Sequence, residues 1–237
     1  QYQEALQKDP TDADRAIDLG WCYLQNDQPD AAMEVALKID PENADPFDYH
    51  NLLGKLYLHI EMFAEAGEHI AQVVDIVRAL TPDGTDTTEK RIRRLPEMFQ
   101  VWGGCLMQTG RQEQAREVYQ EALTLAPDDP TALSLMGNID YADGKYEQSL
   151  EVLRHLTEVS PGSWFGHLMQ AMCLYKLRRD REAFDAVGRA QSLQGGDLSL
   201  YVLKMQILLR NGAFDEVRDI LAFLKEAGAP EDLSTDF

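Results

Sequence analysis

A chain of 237 residues with 44% hydrophobic content is long enough to bury a substantial core. Its 22 basic and 41 acidic residues leave a formal charge of −19, which opposes any role that works by neutralising phosphate, so nucleic acid and anionic lipid are not expected partners. No apolar run reaches the roughly 20 residues that cross a bilayer, so this segment is not expected to insert into a membrane.

Read from its start, the chain opens on Gln1 rather than Met, so the native N-terminus is expected to be missing. Compartment is therefore unknown from the chain, with the cytoplasm as the default expectation. The first stretch, "EALQKDP", returns far downstream as "EALTLAP". Glu4, Ala5, Leu6 and Pro10 recur as Glu121, Ala122, Leu123 and Pro127, an offset of 117 residues. Leu19-Gly20 and Leu53-Gly54 keep an interval of 34, as do Tyr23 and Tyr57, and Ala32 and Ala66. The phase then breaks once, at "TPDGTDTTEKRIRRL" over 81–95. It resumes with Gly103 and Gly137, and with Pro127 and Pro161, again 34 apart. Three periods and the 15-residue insertion account for the long offset.

Each period reads as two antiparallel helices, A and B, with apolar residues at i, i+3, i+4 and i+7. Glycine or alanine at the eighth and twentieth positions lets the two backbones approach closely. Proline ends helix B, and Asp, Asn or Ser nearby caps the next helix A.

The 34-residue period, with Leu-Gly, a following Tyr, a small residue after the turn and "EAL…DP", resembles the tetratricopeptide repeat. The resemblance covers nearly the whole chain and is strongest in the repeats beginning at 47, 96 and 130. It is weaker in the last two, where Gln170-Ala171 and Lys204-Met205 replace Leu-Gly. It implies an all-α fold, a right-handed α-solenoid of about six helix pairs forming one domain over 1–237. On that reading a partial helix B fills 1–12 and the repeats run 13–46, 47–80, 96–129, 130–163, 164–197 and 198–231. The insertion occupies 81–95 and a tail 232–237.

The resemblance also implies that ligands are held in a concave groove lined by helix A. Counting those positions along the chain gives a candidate apolar cluster of Tyr141, Phe165, Leu168, Met172 and Tyr175, with Asn138, Lys176 and Arg210 around it. Few of the 41 acids map there. The family's carboxylate clamp is absent: Ser134, Met169, Ser199 and Leu203 stand where it needs basic or amide side chains.

Other residues have plainer explanations. Cys22, Cys105 and Cys173 share one slot, where buried small side chains are expected rather than a disulfide. His50 and His167 fall in the aromatic packing slot, while His59 and His69 have no metal-binding spacing. No phosphate loop or nucleophile elbow is present. The chain is read as a non-enzyme without cofactor or metal.

Within the insertion, Asp86 and Glu89 are expected to form a capping box that starts an added helix. Lys90, Arg91, Arg93 and Arg94 then form either a docking patch for an acidic partner or a solvated extension paired with the acidic body. The expected function is a protein–protein interaction scaffold that binds a partner peptide or helix in the groove. The alternative is a regulatory or substrate-recruiting segment of a larger multidomain enzyme. Apolar surface at the two ends of the stack is a route to a homodimer.

Overall fold

Thirteen α-helices and one 3-10 turn, with no strand, make up the described residues, 12–82 and 84–226, of the computed structural model. The chain is an all-α helical repeat solenoid. The expected partial helix before Asp12 and the tail lie outside the described residues.

The chain divides into two compact units, Gln1–Pro127 and Asp128–Phe237. The first holds α1 (Ala13–Gln25), α2 (Pro29–Ala36), the 3-10 turn Pro41–Asn43, α3 (Pro46–His59), α4 (Phe63–Ala79), α5 (Asp86–Arg93), α6 (Leu95–Gln108) and α7 (Gln112–Leu125). The second holds α8 (Pro130–Ala142), α9 (Tyr146–Val159), α10 (Trp164–Lys176), α11 (Asp180–Leu193), α12 (Leu198–Arg210) and α13 (Phe214–Glu226). Apart from α5, these form six A–B hairpins.

Local chemistry sets both ends of helix A. Asp12, Asp45, Asp129, Ser163 and Asp197 each accept a backbone N–H of the first turn, as the caps read from the sequence require. Pro46 and Pro130 occupy the first turn, where no N–H is needed. Every helix A then stops the same way, on a residue with positive φ: Asp27, Glu61, Gly110, Gly144, Arg178 and Gly212. At the fifth hairpin the Arg179 N–H reaches the Leu174 carbonyl (2.9 Å) and the Arg178 N–H the Tyr175 carbonyl (3.2 Å). That bonding closes a helix end and turns the chain into helix B.

Glycine in helix A is a matter of contact distance. A Cβ on Gly103 would meet the Tyr119 ring of α7 at 2.4 Å, and one on Gly137 would meet Leu153 of α9 at 2.7 Å. The hairpins are therefore closed to atomic contact along their middles. Leu150, Leu153 and Leu156 of α9 are almost wholly buried, each stabilising the second unit by about 2 kcal/mol. Buried Ser149 donates from Oγ to the Gly137 carbonyl (2.7 Å), and the Cys173 thiol of α10 lies 3.2 Å from the same hydroxyl. Cys105 and Cys173 are buried as expected, whereas Cys22 is only partly covered.

The insertion differs in detail from its sequence reading. It forms α5, but the cap is Thr85, whose side chain accepts the Thr88 N–H, and Asp86 is already helical. Arg91 folds back on the start of α3, reaching Asp45 (3.2 Å) and Asp48 (3.0 Å) while its guanidinium lies 4.2 Å from the Phe47 ring centre. Lys90 pairs with Asp86, Arg93 with Glu89 and Arg94 with Glu97. Each of these four side chains thus has an acidic neighbour, but only Arg91 reaches beyond the insertion and the helix that follows it.

Candidate functional site

In the second unit, helices A alternate with helices B, and α10 touches both α8 and α12. The wall formed by α8, α10 and α12 carries all eight residues assigned to the groove. Asn138 and Lys176 are exposed, while Tyr141, Phe165, Met172, Tyr175 and Arg210 are half-buried. Leu168 is a correction: at 7% exposure it belongs to the core and is not available to a ligand. Its position in the period implied lining, but α10 is flanked by α8 and α12 and Leu168 is buried within the unit.

Contacts divide the wall further. The Tyr141 ring packs 5.4 Å from that of Tyr146, and Phe165 stands edge-on to Trp164 at 6.1 Å. Burial pushes the Tyr141 hydroxyl above its ordinary value, followed by the effect of Tyr146 and then of Cys173, so it stays a neutral donor. The Arg210 guanidinium lies 3.7 Å from the Tyr175 ring centre. It donates from Nε to Asp180 Oδ2 (2.8 Å) and from Nη1 to the Tyr175 carbonyl (3.0 Å). Arg210 is therefore committed to joining α12 to the preceding turn, and as a free cation for a ligand it is replaced by Lys176.

The electrostatic contrast between the two layers of this unit is large. Helices α8, α10 and α12 contain one acidic residue in all, Asp140, which is 3% exposed. Helices α9, α11 and α13 carry three, three and four. A wall free of exposed carboxylates, in a chain of charge −19, presents Tyr, Phe, Met, Asn and Lys side chains to solvent.

One arrangement was not visible in the sequence. His50 of α3 and His69 of α4 bring their Nδ1 atoms to 2.8 Å, with the Tyr57 ring stacked on His69 at 5.5 Å and the Tyr49 ring edge-on to His50 at 5.3 Å. Burial lowers both imidazoles below their ordinary value, and for His69 the neighbouring His50 adds to this. Among the described residues no three His, Cys, Asp or Glu side chains converge as a metal centre requires.

Comparison with known proteins agrees with the geometry. Tetratricopeptide-repeat family models match residues 1–56 and 105–141. Two curated proteins of Komagataeibacter xylinus are similar over short stretches. Cellulose synthase 1 operon protein C is 40% identical over 57 residues, 24% of this chain and 4% of that protein. Cellulose synthase operon protein C is 30% identical over 94 residues, 40% and 7% respectively. The matches thus span only a small part of those relatives' length. Among solved structures, YrrB, described as a TPR protein with an unusual peptide-binding site, superposes with a TM-score of 0.67 at 16% identity, covering 84% of this chain and 95% of its own. MamA from Desulfovibrio magneticus RS-1 gives 0.66 at 14%, covering 77% and 95%. Pseudomonas aeruginosa pilF gives 0.64 at 21%, covering 91% of each. At these identities the likeness concerns the fold.

Proposed function

Because the chain belongs to the tetratricopeptide-repeat family, we propose that its second unit holds a partner peptide or helix against the wall of α8, α10 and α12. The observation that carries this reading is the exclusion of exposed carboxylates from that wall, while ten crowd the helices behind it. Half-buried Tyr141, Phe165 and Tyr175 supply rigid apolar contact at low entropic cost, and the flexible Met172 adapts to the partner's shape, a composition enriched at interfaces. Asn138 and Lys176 at the edges supply hydrogen bonds that fix register. The solved YrrB structure, with its described peptide-binding site, supports the same use of the fold. A direct test is to capture partners from native extract with the wild type and with Phe165→Ala/Tyr175→Ala. Loss of a specific partner with unchanged helicity supports the wall; an unchanged partner set refutes it.

A second reading rests on the Komagataeibacter relatives. There the chain is a recruiting segment of a longer protein serving a cellulose synthase operon, with any catalysis carried elsewhere. Co-purification with a cellulose synthase from native extract tests it, and absence of the synthase from a partner set that is otherwise specific rejects it.

A further inference from the structure

Four cations crowd the turn of the fifth hairpin, Lys176-Leu177-Arg178-Arg179-Asp180-Arg181. Over the same six positions, the other two hairpin turns of this unit, 142–147 and 210–215, hold one cation each, Lys145 and Arg210. Part of the charge at the fifth turn is spent. Arg179 forks onto Glu182 through Nε (2.8 Å) and Nη2 (2.6 Å), and Arg210 of α12 occupies Asp180. Lys176, Arg178 and Arg181 remain, all exposed and without an ion-pair partner among the described residues. This is the reverse of α5, whose basic run is the conspicuous one in sequence but is fully paired.

The backbone adds a second observation. Arg178 sits at φ 62, in the place taken by Gly144 and Gly212 in the neighbouring hairpins. A residue with a Cβ in the left-handed region costs about 1–2 kcal/mol relative to glycine. The hydrogen bonds that close the helix hold it there, as they hold Asp27 and Glu61, while the Arg178 side chain makes no ion pair among the described residues. The backbone N–H groups of Leu177, Arg178 and Arg179 already bond the Cys173, Tyr175 and Leu174 carbonyls. An anion arriving here would be met by side chains alone.

We propose that this turn is a docking point for an acidic polypeptide segment of a partner, whose carboxylates pair with Lys176, Arg178 and Arg181. The site lies on the turn and meets the wall proposed above only at Lys176, so Arg178 and Arg181 are the cations that belong to the turn alone. Charge selects the partner. The body of the chain repels an extended polyanion such as nucleic acid or a charged bilayer. A short acidic segment, screened from distant charge beyond about 8 Å at physiological salt, senses chiefly the three local cations.

The test uses the full chain and three probes: a short fluorescein-labelled Asp/Glu-rich peptide, its Asn/Gln counterpart, and phosphatidylglycerol vesicles. Fluorescence anisotropy for the peptides, and co-sedimentation for the vesicles, are run at low and at physiological ionic strength. The acidic peptide binds, weakens with salt, and loses about tenfold in affinity in Lys176→Gln/Arg178→Gln/Arg181→Gln, as three exposed pairs require. Arg178→Gly alone weakens binding about threefold while raising the melting temperature, which separates the role of the side chain from that of the fold. No binding of the acidic peptide, equal binding of the amide peptide, an unaffected triple variant, vesicle binding without peptide binding, or a lowered melting temperature in Arg178→Gly would each overturn the proposal.

Discussion

Adjacent glycines in α6 are predicted to answer the same substitution with opposite signs. A Cβ on Gly103 would fall 2.4 Å from both Cε1 and Cζ of Tyr119 and 2.8 Å from its hydroxyl. Tyr119 is fully buried, so its ring has no room to swing, and α6 and α7 must part. Overpacking of this kind costs about 3 kcal/mol, against which alanine recovers about 1 kcal/mol of helix propensity, leaving Gly103→Ala destabilised by about 2 kcal/mol. Gly104 has no atom within 4 Å of its added Cβ, so Gly104→Ala is stabilised by about 1 kcal/mol. The roughly 3 kcal/mol separation between two neighbouring substitutions is well outside the error of urea unfolding followed by circular dichroism. A Tyr119→Ala background serves as the control, because with the side chain removed beyond Cβ Gly103→Ala becomes neutral or stabilising. Equal shifts for the two alanines, or a Gly103→Ala cost that survives Tyr119→Ala, would refute the packing of this hairpin.

Two further predictions concern the first unit. His50 and His69 share one hydrogen bond that needs a neutral acceptor nitrogen, and both imidazoles are lowered by burial. Their folded values lie below the unfolded value of about 6.5, so the unfolded chain binds more protons in that window. Stability present above about pH 6.5 is lost as pH falls through the folded values, and melting temperatures of His50→Phe/His69→Leu should be flatter across it. Arg91→Ala is expected to free α5, raising the rate of proteolytic cleavage within 84–93 about tenfold; Arg91→Lys rescues only part, since an ammonium cannot bond Asp45 and Asp48 together while stacking on Phe47. Arg93→Ala, which removes only an exposed pair with Glu89, should leave the cleavage rate unchanged.

The hairpins were legible because their signals are local and periodic. Pro46, Pro130 and the capping Asp and Ser residues mark where helix A starts, and Gly103 and Gly137 mark where two helices touch. The turns were legible only in part. Gly110, Gly144 and Gly212 announce the left-handed residue, but Asp27, Glu61 and Arg178 adopt the same conformation with no such signal, held there by the bonds that close the helix. Contacts made across helices were hidden. Arg91 meets Asp45 from 46 residues away, and His50 meets His69 from 19, distances that no motif spacing encodes. Leu168 shows the limit of periodicity at the site itself, for a groove position and a core position differ only by how closely the neighbouring helices pack.

The central claim is that the second unit binds through the layer that exposes no carboxylate, α8, α10 and α12. It is tested most directly by amide hydrogen exchange of the full chain, with and without a peptide selected from a random library for binding to it. The account predicts that bound peptide slows exchange in α8, α10 and α12, centred on residues 138–142 and 172–176. Slowed exchange confined to α9, α11 and α13, or to the first unit, would contradict it.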